Sequence, residues 1–265
     1  MLTQADPQDK ISAAQESYHK NGFYLSEPII PESLVQRARG GVDAILRGEY
    51  QHGMIPQVFD NGTDPNRLRK IDQVHTCNDV LREVATHPAI GRLAAELSGR
   101  PWIQLWAVQM LYKPPGGAVV GNVGWHQDSQ YWKYWEDDSE LFTAWVALSD
   151  VTVEAGAMKF AVGSNHWGLL DAGDFFTPTQ GAPVAAIPKG ETWTEVPGVL
   201  RPGGVSFHHR YTYHGSGPNV SDSPRISLAL HLRTDRSKVK ADATDYYVSH
   251  IDDPIICPVI YDETR

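Results

Sequence analysis

Two histidines, an aspartate and an arginine are the residues of this chain whose types and spacing could do chemistry. His126 and Asp128 stand two apart in the run Gly124-Trp125-His126-Gln127-Asp128-Ser129. His214 follows 86 residues after the aspartate, and Arg225 lies 11 residues further on. Two imidazoles and one carboxylate are the ligand set that holds Fe(II) on one face and leaves the opposite face open for oxygen chemistry. A spacing of two in a strand points both side chains to the same face, so His126 and Asp128 are expected to share one metal without backbone distortion. A single H-x-D pair also arises by chance on surfaces and in turns. His214 adds weight, because it comes just after the strand-like run Gly204 to His208. Arg225 opens an alternating run that continues to Leu232. An inward arginine there is costly unless it meets an anion, which a carboxylate ligand would supply. A salt bridge to one of the chain's own acids is the alternative.

The elements that must position these residues change character near residue 100. Asp9 to Lys20 reads as a helix stopped by Asn21-Gly22, Phe23 to Leu25 as a short strand, and Pro31 to Leu46 as a helix with apolar residues at helical spacing. Asn78 can cap a helix over 79–85, and Pro88 can begin another that ends at Gly99. After Pro101 the sequence turns to aromatic and β-branched runs: 102–112, 141–151, 156–162, 203–208 and 225–233, separated by proline and glycine clusters. Helices first and strands afterwards predict a mainly β (α+β) protein. Its core would be a double-stranded β-helix, a jelly roll of the cupin kind, with N-terminal flanking helices. One domain is expected over 1–265, with a helical front over about 1–100, the jelly roll over about 101–236, and a polar tail wrapping the surface.

Composition narrows the partners. The formal charge is −9, and no basic run or basic stripe with interleaved aromatics occurs, so neither nucleic acid nor an anionic membrane is an expected partner. No run approaches the ~18 apolar residues of a membrane span. The polar first ten residues have no apolar signal-peptide core. Cys77 and Cys257 have no metal-type spacing and suggest no disulfide framework, which fits a reducing, cytoplasmic setting. The expected partner is a small-molecule substrate.

The order H-x-D, later His, then Arg after 11 residues resembles the Fe(II)/2-oxoglutarate-dependent oxygenases, and most of all the phytanoyl-CoA dioxygenase family. Further pieces carry the resemblance: Gln109-Met-Leu-Tyr-Lys113-Pro-Pro-Gly before the motif, Trp125-His126-Gln127-Asp128, Ala144-Trp145-Val-Ala-Leu, Glu154-Ala-Gly-Ala-Met with Val162-Gly-Ser-Asn-His166, and His214-Gly-Ser-Gly-Pro-Asn219. Together they run from about residue 104 to 233.

The resemblance implies that His126, Asp128 and His214 ligate Fe(II), and that Arg225 binds the distal carboxylate of 2-oxoglutarate with Ser227 close by. Trp145 and Gln109 match positions that line the co-substrate pocket. The implied reaction is oxidative decarboxylation of 2-oxoglutarate with O2, giving succinate and CO2 while an aliphatic carbon of a small organic molecule is hydroxylated. An intact Asp128 argues against halogenation, since halogenating relatives have a small residue there. The alternatives are a cupin-like metal enzyme that works without 2-oxoglutarate, or a non-catalytic small-molecule binder.

Two segments could reach a substrate. Tyr131-Trp132-Lys133-Tyr134-Trp135 leaves the metal motif directly, either as a packed loop at the barrel mouth or as a substrate wall, with Gln130 offering a polar contact. Arg67 to His75, including Lys70, is either a lid or a solvated loop.

Overall fold

The computed structural model describes residues 7–52, 54–58, 66–117, 121–170, 172–177, 183 and 186–264. Helix α1 spans Pro7–Asn21, α2 Glu32–Leu46, α3 Asp79–Ala85, α4 Pro88–Ser98 and α5 Tyr246–Ser249. The strands are β1 Phe23–Leu25, β2 Gln57–Val58, β3 Arg69–Asp72, β4 Trp102–Lys113, β5 Val123–His126 and β6 Leu141–Ala147. They continue with β7 Met158–Ala161, β8 Glu195–Pro197, β9 Val205–His209, β10 His214–Ser216, β11 Arg225–Thr234 and β12 Val259–Asp262. Each helix named from the sequence forms within a residue or two of its expected ends. Asn78 Oδ1 accepts from Leu81 N at 3.1 Å, and Gly99 closes α4 in the left-handed conformation.

Two antiparallel sheets face each other, and they do not close into a barrel. The larger runs β1-β9-β6-β11-β4-β3-β2, with β12 also paired to β4; the smaller runs β5-β10-β7-β8. Alternation along β11 shows how the sequence divides the core. Ile226, Leu228, Leu230 and Leu232 point to the helix side, where they pack with Leu34, Val42, Leu81 and Ile90. Ala229 points to the other face and joins Trp145, Phe160 and Met158 between the sheets. Register is fixed by this alternation, because a slip of one residue would send the leucines into the site and Arg225 into the helical core.

Two expectations fail. The stretch from Arg67 to His75 is neither a lid nor a solvated loop. Strand β3 pairs with β4 at Arg69↔Tyr112 through Asp72↔Gln109, and Lys70, Asp72, Gln73 and His75 are all buried. Its alternating polar side chains hid a strand because they are satisfied inward, Lys70 on Asp72 and His75 on the Ile256 carbonyl. The tail does more than wrap the surface: β12 extends the larger sheet, while Val248, Ile256 and Cys257 are buried against Trp106 and Trp135.

Candidate active site

His126 ends β5, and His214 begins β10 directly opposite it in the antiparallel register. Their ring centroids are 4.2 Å apart. Asp128 is not in the strand with His126, as its spacing had suggested. It opens a short 3₁₀ turn over Asp128–Gln130, and this turn brings the carboxylate back toward both rings. Asp128 Oδ1 lies 3.8 Å from His126 Nε2 and 3.7 Å from His214 Nε2. One ligand atom from each residue falls within 4.8 Å of the others. Both imidazoles are fixed from behind by backbone carbonyls, His126 Nδ1 to Gly124 O at 2.8 Å and His214 Nδ1 to Thr212 O at 3.0 Å. Such bonds set the tautomer and leave Nε2 free for a metal.

Gln127, fully buried between the two ligands, fastens the turn. Its Nε2 donates to the carbonyls of Gly168 and Tyr211 at 2.7 Å each, and its Oε1 accepts from Leu170 N at 2.8 Å. Gln130 Oε1 accepts from Gln127 N at 2.6 Å, and Gln130 Nε2 donates to Gly173 O at 3.1 Å. Gln130 is thus a brace of the turn and does not line a cavity.

The protonation pattern suits a cation. Burial alone would raise the Asp128 carboxyl, but His214, His208 and His231 around it hold it well below the usual carboxylate range. Burial pushes the His214 imidazole well down, with His126 and His208 adding to the effect, and burial lowers His126 as well. Neutral imidazoles beside an ionised carboxylate are the state in which these groups ligate a metal.

Two cavities meet at this triad. An inner one of about 40 Å³ runs toward Arg225 and is lined by Gln109, Trp145 and Ser216 among others. An outer one of about 250 Å³ is lined by Trp106, Trp132, Tyr134, Tyr247, Lys70 and Phe175. Gln109, His126, Asp128, Phe175 and His231 border both. Arg225 is buried; its Nη1 donates to Gly156 O at 2.6 Å, its guanidinium lies 5.2 Å from the Trp145 ring, and its Nε has no partner. No carboxylate reaches it among the described residues, and burial pushes it down to about 10. An unopposed buried guanidinium at the end of a cavity that starts at a metal triad fits a ligand with an anionic far end.

The structure therefore brings together His126, Asp128, His214, Arg225, Trp145 and Gln109 around the inner cavity, and Trp132 and Lys70 around the outer one. Ser227 stays out: its Oγ points to Leu111 O at 3.5 Å, and Ser216, two residues after His214, lines the inner cavity. The His214-Gly-Ser216 motif carried that signal. Sequence reasoning passed over Thr143, whose Oγ1 donates to Asp128 Oδ2 at 2.7 Å; of the adjacent pair His208 and His209, read as structural with one able to approach the site, it is His208 whose Nε2 stands 3.3 Å from the same oxygen. Thr143 shares a strand face with Trp145, so alternation could have found it. Nothing in the sequence pointed to Tyr247.

A jelly roll with two imidazoles on facing strands and a carboxylate on the turn that follows one of them offers the ligand set of the non-haem iron oxygenases. The sequence profile of the phytanoyl-CoA dioxygenase family (PhyH) matches residues 18–227, and the chain belongs to that family. Among its relatives is a probable alpha-ketoglutarate-dependent hypophosphite dioxygenase of Stutzerimonas stutzeri, 29% identical over 223 residues, covering 82% of this chain and 76% of the relative. The peroxisomal phytanoyl-CoA dioxygenase of Homo sapiens is 24% identical over 228 residues, covering 81% of this chain and 66% of the human protein. Among solved structures, the non-haem alpha-ketoglutarate-dependent carbocyclase SnoK from nogalamycin biosynthesis superposes with a TM-score of 0.72 at 24% identity, over 90% of this chain and 89% of SnoK. The epimerase SnoN, solved with Fe3+, alpha-ketoglutarate and nogalamycin RO, gives 0.70 at 23% identity, over 91% of this chain and 93% of SnoN.

Proposed function

We propose that this chain is a non-haem Fe(II)- and 2-oxoglutarate-dependent dioxygenase that hydroxylates an aliphatic carbon of a small organic molecule. The observation that carries the reading is the joining of two features in one cavity: three convergent ligand atoms and, at the far end, a buried arginine with no counter-charge.

His126, Asp128 and His214 would hold the iron, and Arg225 with Ser216 would receive the distal carboxylate of 2-oxoglutarate, flanked by Trp145 and Gln109. When bound, iron and 2-oxoglutarate supply oxygen activation and removal of a C–H hydrogen, with release of succinate and CO2. The protein's residues do the rest. Thr143 fixes Asp128 through Oδ2, so that Oδ1 is the oxygen turned to the two imidazoles. The aromatic walls of the outer cavity exclude water and orient the substrate against the triad. Lys70 contributes an ammonium already bound by both oxygens of Asp72, at 2.9 and 3.0 Å.

The family relationship, which runs over residues 18–227, favours one catalytic unit over the chain. No helix among the described residues is long and apolar enough to cross a membrane, and we place the enzyme in the cytoplasm because its free cysteines are buried and unpaired. Anaerobic titration of metal-free protein with Fe(II) and 2-oxoglutarate tests the assignment. A visible charge-transfer band that weakens in Arg225→Ala is the expected result. Iron binding without a band would favour a cupin-like enzyme independent of 2-oxoglutarate.

A further inference from the structure

Thr143 Oγ1 sits between two partners, 2.7 Å from Asp128 Oδ2 and 2.9 Å from His231 Nδ1. A hydroxyl has one proton to give, and an ionised carboxylate can only accept. The Thr143 hydroxyl donates to Asp128 Oδ2, which spends its one proton. Thr143 must then accept from His231, and the proton of that imidazole is on Nδ1. Burial pushes His231 down to about 4, so the ring is neutral. Its Nε2 is left with a lone pair and no hydrogen. None of the described residues forms a hydrogen bond with that nitrogen.

The ring's place gives this lone pair a use. His231 borders both cavities at the point where they meet the metal triad. It lies on Trp106 with centroids 5.3 Å apart and planes 30° apart, and Trp132 stands against it at 5.0 Å and 70°. The two indoles hold the imidazole in one plane. Three rings, Trp132, Tyr134 and Tyr247, stand at 82–83° to Trp106 and enclose the same space with apolar walls. Lys70, Gln109, Asp128 and Asp245 supply the polar part of the same lining, and an acceptor held in place by aromatic rings favours a ligand that brings a donor to it.

We propose that His231 contacts the substrate, its Nε2 accepting a hydrogen bond from a hydroxyl or an amine N–H, and that the substrate class is compact organic molecules carrying such a donor near the carbon presented to the metal. The substrate part rests on the dioxygenase reading above; the tautomer does not.

The test uses ¹⁵N-histidine-labelled protein loaded with Zn(II) and 2-oxoglutarate, read by long-range proton–nitrogen NMR and assigned with His231→Gln. The probes are benzyl alcohol, benzylamine and benzyl methyl ether, which has no donor. The expected result is a His231 Nδ1–H tautomer, and an alcohol or amine that binds about three- to tenfold tighter than the ether, the worth of one neutral hydrogen bond. That preference should vanish in His231→Phe and persist in His231→Gln, whose amide oxygen still accepts. Preference for benzylamine over benzyl alcohol would identify an amine as the donor, and the reverse a hydroxyl. An Nε2–H tautomer overturns the proposal, as does equal binding, or no binding, of all three probes to the wild type. Failure of the dioxygenase reading shows separately, as absence of the Fe(II)–2-oxoglutarate band in a protein whose tautomer and probe preference are unchanged.

Discussion

Arg225 on β11 and Lys113 on β4 are direct partners in the antiparallel register, both fully buried, and no carboxylate lies within ion-pair reach of either among the described residues. Lys113 Nζ is spent on Ser216 Oγ at 2.7 Å and Gly217 O at 2.6 Å. Burial, with the neighbouring Arg225 charge, drives its ammonium well below its usual range. A buried guanidinium without a counter-charge, beside a second buried basic group, weakens the fold until an anion arrives. A dicarboxylate should therefore stabilise the protein even without catalysis. At a concentration about 100 times its Kd, 2-oxoglutarate should add about 2.7 kcal/mol, read as a rise in Tm. Arg225→Met should lose most of that rise, and an undiminished rise would place the anion elsewhere.

Thr143 should matter to metal affinity although it is not a ligand. Thr143→Val removes the donor to Asp128 Oδ2 at nearly constant volume. Loss of such a supporting bond costs roughly 10- to 100-fold in affinity. Competitive titration against a fluorescent chelator measures it. Asp128→Ala should bind no iron at concentrations that saturate the wild type.

His75 sets an acid limit to stability. Its Nε2 bonds to Ile256 O at 2.8 Å, and burial pushes it down to about 4. In the unfolded chain a histidine titrates near ~6.5. A folded-state value below the unfolded one means that the stability is fully present above ~6.5 and is lost as pH falls toward 4. Chemical denaturation between pH 7 and 5 should show a decline that is shallower in His75→Gln. Equal slopes would assign the acid loss to other groups, such as His209, which burial also pushes down to about 4.

Gly124 should tolerate no side chain. A Cβ there would strike the carbonyls of Asp174 and Thr177, which lie against the metal-bearing strand, and Gly124 N donates to Phe175 O at 3.2 Å. Gly124→Ala should lower Tm and weaken iron binding together, since the same backbone carries His126 and places Phe175 on its ring at 5.1 Å. Gly121→Ala, whose added carbon meets only ordinary contacts, is the matched control.

Much of this was legible beforehand, for physical reasons. Helices with caps and apolar spacing announce themselves locally: Asn78 and Gly99 needed no tertiary information. The triad was legible because ligand types are few and their order along a jelly roll is fixed by strand sequence. What escaped was decided by partners far away in the chain. Lys70 looked solvated although its counter-charge, Asp72, is only two residues on, because what buries the pair is remote: β4 pairs with their strand, and the Tyr247 hydroxyl that also bonds Asp72 comes 175 residues later. Ser216 rather than Ser227 reaches the inner cavity because both strands had to be placed before either hydroxyl could be aimed. Asp128 was expected beside the two histidines, where it lies, but on the wrong backbone; a strand and a 3₁₀ turn can deliver the same carboxylate.

The tail closes the outer cavity from the opposite end of the polypeptide. Tyr247, just inside α5, and Asp245, which caps it, form part of that wall, while the three convergent residues that could hold a metal lie between residues 126 and 214. The wall that faces the triad is thus assembled from stretches as far apart as Lys70 and Tyr247, with the tail supplying its last two members. Exchange of the last thirty or so residues could redirect the enzyme to a new molecule without disturbing the iron, provided that the incoming tail still supplies a strand for the free edge of β4.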